Sequence, residues 1–239
     1  MIDSRQTDKR STKTAKIQRF KAIIFRLPFT VYRSPRHSFT LAEVLITLGI
    51  IGVVAAYTIP ILMQNIQDQQ FKEAAKEAYS KASQAIQQMK NDNGGSLSTY
   101  TNSYTNFKTP FMAYFKIIDP CTSTCVPVTS ESTIYKTLYR NPAKTSWMGG
   151  QFVTTDGMFW ATYSSGSYIF ITVDVNGYIN PPNIYGKDTF FFQLSDDRLF
   201  PLGANGTNRT APDYCDRTHD IQSLMGVGCM TYVMQGKDY

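Results

Sequence analysis

Residues 39–63 read FTLAEVLITLGIIGVVAAYTIPILM, a run of 25 residues with a single charge, Glu43. About 20 apolar residues cross the hydrocarbon core of a bilayer, so this run is long enough to span one. The core helix of a soluble protein seldom lacks a polar face for so long. A secretory signal couples a basic region to an apolar stretch of roughly 7–15 residues and a small-residue cleavage site. The present run is longer and carries an acid near its start, where such a signal has no use for one. A carboxylate at the head of a membrane helix costs a few kcal/mol, less near the interface, and marks a functional site by default.

The formal net charge of +6 is unevenly spread. Residues 1–38 hold ten Lys and Arg against only Asp3 and Asp8, whereas the remainder holds fourteen basic and sixteen acidic residues. A basic arm suits nucleic acid or the cytoplasmic flank of a membrane helix. The apolar run that follows selects the flank. The near-neutral body offers no basic stripe for a nucleic acid, and no nucleic-acid partner is expected.

The stretch Ser38-Phe39-Thr40-Leu41-Ala42-Glu43-Val44-Leu45-Ile46 resembles the prepilin-type cleavage and methylation signature of type IV pilins and type II secretion pseudopilins. In that family a membrane peptidase cuts on the cytoplasmic side before a Phe, the new N-terminus is methylated, and a Glu lies five residues into the mature chain. Carried onto this sequence, the resemblance implies cleavage between Ser38 and Phe39, N-methylation of Phe39, and Glu43 as that fifth residue. Ser38 stands where the family usually has Gly, and the 38-residue leader is longer than most. Gly49, Gly52 and Pro60 fall where pilin helices often carry glycines and a helix-loosening proline. The resemblance covers residues 38 to about 90.

It implies a structural subunit of a type IV pilus-like filament rather than an enzyme. The favoured form is a pseudopilin of a type II secretion system. A type IV pilin for adhesion, motility or DNA uptake is the alternative. From another class, a single-pass, signal-anchored exported domain that never assembles would leave Glu43 unexplained. A minor tip subunit often lacks this Glu. The implied partners are copies of the chain or related pilin-like subunits, a prepilin peptidase and methyltransferase, and an inner-membrane assembly platform. The implied location is the bacterial inner membrane, single-pass, with the N-terminus cytoplasmic and the head periplasmic or exterior. The physical logic agrees: cleavage gives Phe39 a free amine, and an unpaired charge in an apolar bundle is costly. A Glu43 carboxylate from a neighbouring subunit would neutralise it and set the register of stacked helices.

The helix is expected to continue beyond the membrane. Phe71, Ala75, Ala78, Ala82, Ala85 and Met89 recur at heptad spacing, and Asn93-Gly94-Gly95 ends the pattern. The stripe is read as packing on the chain's own sheet. Residues 96–110 read as a loop, and 111–118 as a short helix or strand. QFVTT and MFWATY flank Asp156-Gly157, a hairpin pair. SYIFITVDV and YIN flank Asn176-Gly177, a second such pair, and KDTFFFQLS and RLFPL flank Asp196-Asp197. The expectation is an α+β fold in which a long N-terminal helix packs on a small antiparallel meander of three to five strands, the pilin architecture. The expected organisation is a basic leader over 1–38 that is removed, a transmembrane assembly helix over 39–63, an amphipathic continuation over 64–93, and an exported head over 94–239.

Four cysteines allow three pairings, and the sequence alone does not choose among them. In an exported head disulfides are expected, with nearest neighbours paired as Cys121–Cys125 and Cys215–Cys229. The second pair resembles the disulfide-bounded C-terminal loop of many pilins. A zinc site is the rival, but the cysteines lack its paired close spacing. Asp174, Asn176 and Asp188 lie in a stretch that can gather oxygens around calcium, and pseudopilins of type II secretion bind calcium near the C-terminus as a family. Asn-Gly is equally a turn, and Asp and Asn also cap loops, so both readings stand; no other cofactor is expected. No nucleophile elbow, phosphate-binding glycine loop or HExxH is present, and no enzymatic site is expected.

Overall fold

The computed structural model describes residues 39–101, 104–166, 168–216, 218 and 223–239. The expected leader, including Ser38, lies outside the described residues. The chain divides into two units at Gly49 and Ile50. In the first, the described residues 39–49 become helical at Leu41.

Helix α1 is assigned over Leu41–Asp92. It ends where the sequence demands. Gly94 and Gly95 adopt positive φ, which costs glycine no steric penalty, and Gly95 N–H returns to Lys90 O at 2.9 Å. Segment 96–110, read as a loop, instead forms α2 (Ser98–Thr101) and begins α3 (Tyr104–Met112). The polar Ser/Thr/Asn texture hid two short helices whose apolar anchors, Leu97, Phe107 and Phe111, are fully buried. Tertiary burial here overrode weak helix propensity.

Six strands follow as an antiparallel meander in sequence order: β1 (Ile117–Asp119), β2 (Gly150–Thr154), β3 (Phe159–Ser165), β4 (Tyr168–Asp174), β5 (Thr189–Ser195) and β6 (Arg198–Pro201). The sheet has one strand more than the three to five expected; segment 111–118, read as a short helix or strand, holds the end of α3 and the start of β1, which is only three residues long and includes exposed positions. Residues 178–180 are not a strand. Asn176 Nδ2 donates to Asn180 O and Pro181 O, Asn180 Nδ2 donates back to Asn176 O, and β4 pairs directly with β5 from Ile169↔Leu194 to Asp174↔Thr189. The Asn-Gly pair therefore opens a longer loop instead of a tight hairpin. Asp156-Gly157 does turn β2 into β3, and Asp196-Asp197, both at positive φ, turn β5 into β6. Short helices α4 (Ala211–Tyr214) and α5 (Met230–Gln235) complete the head.

Both faces of the sheet are covered, which explains the unbroken Phe190-Phe191-Phe192 run, since a strand buried on both sides has no polar alternation. Ile169, Ile171, Val173, Phe190, Phe192 and Leu194 join Trp160, Phe111 and the alanine stripe of α1 in one core. Phe170 and Phe191 point the other way, into a second core with Tyr135, Trp147, Tyr185 and Val227. On α1, Ala75, Ala78, Ala82, Ala85, Ile86 and Met89 are buried and Phe71 is half-buried. Polar ties reinforce the seam. Lys81 Nζ reaches Glu77 and Asp156, each at 2.7 Å, Tyr79 O–H donates to Leu199 O at 2.9 Å, and Lys187 pairs with Asp68 at 3.0 Å. The Cys215–Cys229 bridge is buried, and the chain packs closely around it: a Cβ on Gly186 would stand 2.7 Å from Cys229 Sγ. A Cβ on Gly226 would stand 2.1 Å from Tyr185 O, and one on Gly203 would stand 1.9 Å from Gly228 O.

Candidate assembly and processing site

The first helical turn begins with a reciprocal cap. Thr40 Oγ1 accepts the Glu43 N–H at 3.2 Å, while Glu43 Oε2 accepts the Thr40 N–H at 2.8 Å and the Thr40 hydroxyl at 3.0 Å. This is the S/T-x-x-E capping box. It satisfies amide donors that every helix start leaves orphaned. The signal was readable as Thr40-Leu41-Ala42-Glu43, and Thr40 is the residue that a reading centred on Glu43 overlooked. Phe39 lies just outside the helix and is 83% exposed.

The apolar side chains that follow are uncovered. From Leu41 to Ile66 the large ones are exposed, among them Leu45, Ile50, Val53, Ile59 and Leu62. A contiguous apolar surface of this extent is not compatible with water. This is the one helix among the described residues long and apolar enough to cross a membrane. An added Cβ at Gly49 or Gly52 would meet nothing within 4 Å, so both glycines lie open to close approach by another helix. Pro60 sits inside α1, where it has no N–H to donate. Thr58 Oγ1 donates to Val54 O at 3.0 Å in the preceding turn.

In the head, Cys121 bridges Cys125 and Cys215 bridges Cys229. Asp119 lies beside the first bridge and accepts the Cys121 N–H at 2.8 Å. With both sulfurs in a disulfide, the cluster has no thiolate to offer a metal.

Asp174 and Asp188 are brought together at the β4–β5 ladder, and both are fully buried. Asp174 accepts the Tyr135 hydroxyl at 2.8 Å and the Asn176 N–H at 3.3 Å. Asp188 accepts the Asn183 and Ile184 N–H groups, each at 2.7 Å. Burial pushes the Asp174 carboxyl well above the ordinary carboxylate range, and the Asp188 charge pushes it further. Burial likewise raises Asp188. The carboxamide oxygens of Asn176 and Asn183 are buried without a donor among the described residues. Two carboxylates and two orphaned carboxamide oxygens in one loop fit the hard-oxygen chemistry of calcium. Tyr135 was invisible in the sequence, because it lies 39 residues from Asp174 and belongs to no motif.

With this geometry in place, comparison with known families is decisive for the N-terminal segment. Residues 33–59 match the family model of the prokaryotic N-terminal methylation motif. The chain carries the type IV pilin and pseudopilin signature. The match includes Glu43 and the apolar run as far as Ile59, and it stops short of Pro60 and of the head. No curated protein and no solved structure matches the chain. The pilin signature and a long apolar helix followed by a six-stranded antiparallel sheet together make an α+β, pilin-like arrangement, and the signature supports a pilin-like structural subunit anchored by its N-terminal helix.

Proposed function

We propose that the protein is the precursor of a filament subunit, most specifically a pseudopilin of a type II secretion system. The observation that carries the filament-subunit reading is the coincidence of the methylation motif, the uncovered apolar helix and Glu43 at the helix start. Cleavage between Ser38 and Phe39 removes the basic leader, which stays cytoplasmic by the positive-inside rule. The head is then exported, where disulfides persist.

Cleavage creates a cation at Phe39 in apolar surroundings, which must be paired. Before assembly the Glu43 carboxylate is held by Thr40. As helices stack, it exchanges those local hydrogen bonds for the amine of a neighbouring Phe39. Copies supply the cover that the apolar stretch from Phe39 to Ile66 lacks, and Pro60 leaves a carbonyl that neighbours or water can satisfy. In the head, Asp174 and Asp188, with the carboxamide oxygens of Asn176 and Asn183, would hold calcium. The ion would neutralise the buried acidic pair.

Deletion of the chain in its native host tests the assignment. Loss of folded exoproteins from the medium, with surface fibres intact, supports the pseudopilin. Loss of sheared surface fibres with secretion intact assigns it to a surface pilus instead.

A further inference from the structure

A polar groove of about 590 Å³ lies at the foot of the head. Its lining includes Asn65, Asp68 and Lys72 from α1, Arg140 from the 136–142 hairpin, Lys187, and Asp238. Two of its three cations are already paired, Lys187 with Asp68 at 3.0 Å and Lys72 with Asp238 at 3.1 Å. Arg140 has no ion-pair partner among the described residues. The hairpin around it carries Lys136, Arg140 and Lys144 and no acid from Ser132 to Lys144.

Arg140 also has a backbone φ of 66°, a region that side chains other than Asn and Asp seldom adopt. Its N–H donates to Thr137 O at 2.8 Å, and Thr137 N–H donates to Asn141 O at 2.8 Å, so this position closes a tight turn. Glycine or asparagine would serve the turn with less strain. Leu138 and Tyr139 stand next to it at the tip and also line the groove. Leu-Tyr-Arg offers an apolar body, an amphipathic ring and a snorkelling cation, which suits a membrane interface.

The groove's place along α1 fixes its depth. At 1.5 Å per residue, Asn65 to Lys72 lie about 3–14 Å beyond Met63, the last residue of the apolar run. The headgroup layer is roughly 5–7 Å thick on each side of the hydrocarbon core. Asn65 and Asp68, about 3–8 Å beyond Met63, line the groove together with Arg140, so its membrane-proximal end stands in the headgroup layer when residues 39–63 span the membrane. We propose that it is a phospholipid headgroup site, in which Arg140 binds the lipid phosphate and Leu138 and Tyr139 rest at the interface. The inference rests on the membrane-spanning reading of residues 39–63. Before assembly, the site would hold the head upright against the bilayer it must leave.

The test uses the full chain, purified in maltoside detergent and reconstituted into nanodiscs of phosphatidylcholine with or without phosphatidylglycerol, and hydrogen exchange of residues 137–141. The amides are expected to be more protected in phosphatidylglycerol discs than in detergent. One basic side chain near an anionic surface is worth roughly fivefold in binding, so Arg140→Ala should lose about that factor, and Arg140→Lys should keep most of it. Arg140→Ala removes the guanidinium from an exposed turn but keeps the Cβ, so the backbone strain stays as in the parent and unfolding is not the expected failure. Should it occur, Arg140→Gly, which relieves the backbone strain, carries the same comparison. Equal protection in lipid and detergent, or Arg140→Ala indistinguishable from the parent in phosphatidylglycerol discs, overturns the proposal. Protection that rises with protein concentration instead of anionic lipid also overturns it and assigns the groove to a second copy. Carbonate extraction separates the premises: a chain released from membranes by carbonate refutes the span itself, whereas a retained chain with an unprotected hairpin refutes only the headgroup site.

Discussion

Replacing Ala78 or Ala82 with Leu separates packing from helix propensity along the seam between α1 and the sheet. Both alanines are 0% exposed and belong to the core that contains Trp160, Ile171 and Phe192. Leu is nearly as good a helix former as Ala, so the substitution leaves the helix itself almost unchanged. It does insert three extra carbons where the helix lies against β-strand side chains. Overpacking a well-filled core costs about 1–3 kcal/mol per site. For a chain of 150–250 residues each kcal/mol lowers Tm by roughly 2–4 °C, which gives a fall of about 2–12 °C. Gln84→Leu, exposed on the same helix, is the control and should stay within about 0.5 kcal/mol of the parent. The assay is urea unfolding of the full chain in detergent, followed by fluorescence of Trp160, buried in that same core. If Ala78→Leu and Ala82→Leu unfold at the midpoint of Gln84→Leu, the alanines do not set the helix-to-sheet distance and the packing argument fails.

Three further outcomes follow from the head. Removing the Cys215–Cys229 bridge, which closes a loop with a sequence separation of 14, should lower stability by about 3 kcal/mol, and removing Cys121–Cys125, with a separation of 4, by about 2; equal losses in denaturant titrations would contradict the loop-entropy account. Burial pushes the Asp156 carboxyl up, but Lys81, the Thr154 hydroxyl and the Met158 N–H together hold it below its ordinary value. A depressed carboxylate contributes stability above its unfolded pKa and loses it as pH falls through the folded one. Lys81→Met should therefore flatten the acid side of the stability profile, by no more than about 1 kcal/mol for so exposed a pair; an unchanged profile would remove the tie from the account. Calcium at about a hundred times its Kd should stabilise the head by about 2.7 kcal/mol, an effect that chelation reverses and Asp188→Asn abolishes; a melting curve indifferent to calcium would reject the ion site.

The parts legible in the sequence were those with a local code. The apolar run, the glycine stop after Asp92, the alanine stripe and the Asp156-Gly157 turn each depend on residues close together in the chain, and each appears in the structure where the pattern placed it. The misses are non-local. Helix α3 was hidden because Phe111 matters through its contact with Trp160 and Phe152, and Phe107 through its stacking on Phe111, rather than through propensity. In 111–118 the pattern left helix and strand open, and β1 forms at its end because β2 offers it an edge. Residues 178–180 resembled a strand by composition, yet the side chains of Asn176 and Asn180 clamp the loop backbone. At the candidate site, Glu43 stood out as a lone charge, whereas Thr40 matters only as its capping partner. Tyr135 and Arg140 carry no motif at all; what marks them is a buried carboxylate in one case and a strained turn in the other.

The most direct test of the filament-precursor account is N-terminal peptide and intact mass spectrometry of the chain from membranes of its native host. The account predicts a mature chain that begins at Phe39, carries one extra methyl group on its amine, and disappears in favour of the full-length form when prepilin peptidase is removed. A chain that retains residues 1–38, or one cut after the apolar run, would contradict it and leave an exported domain on a simple anchor.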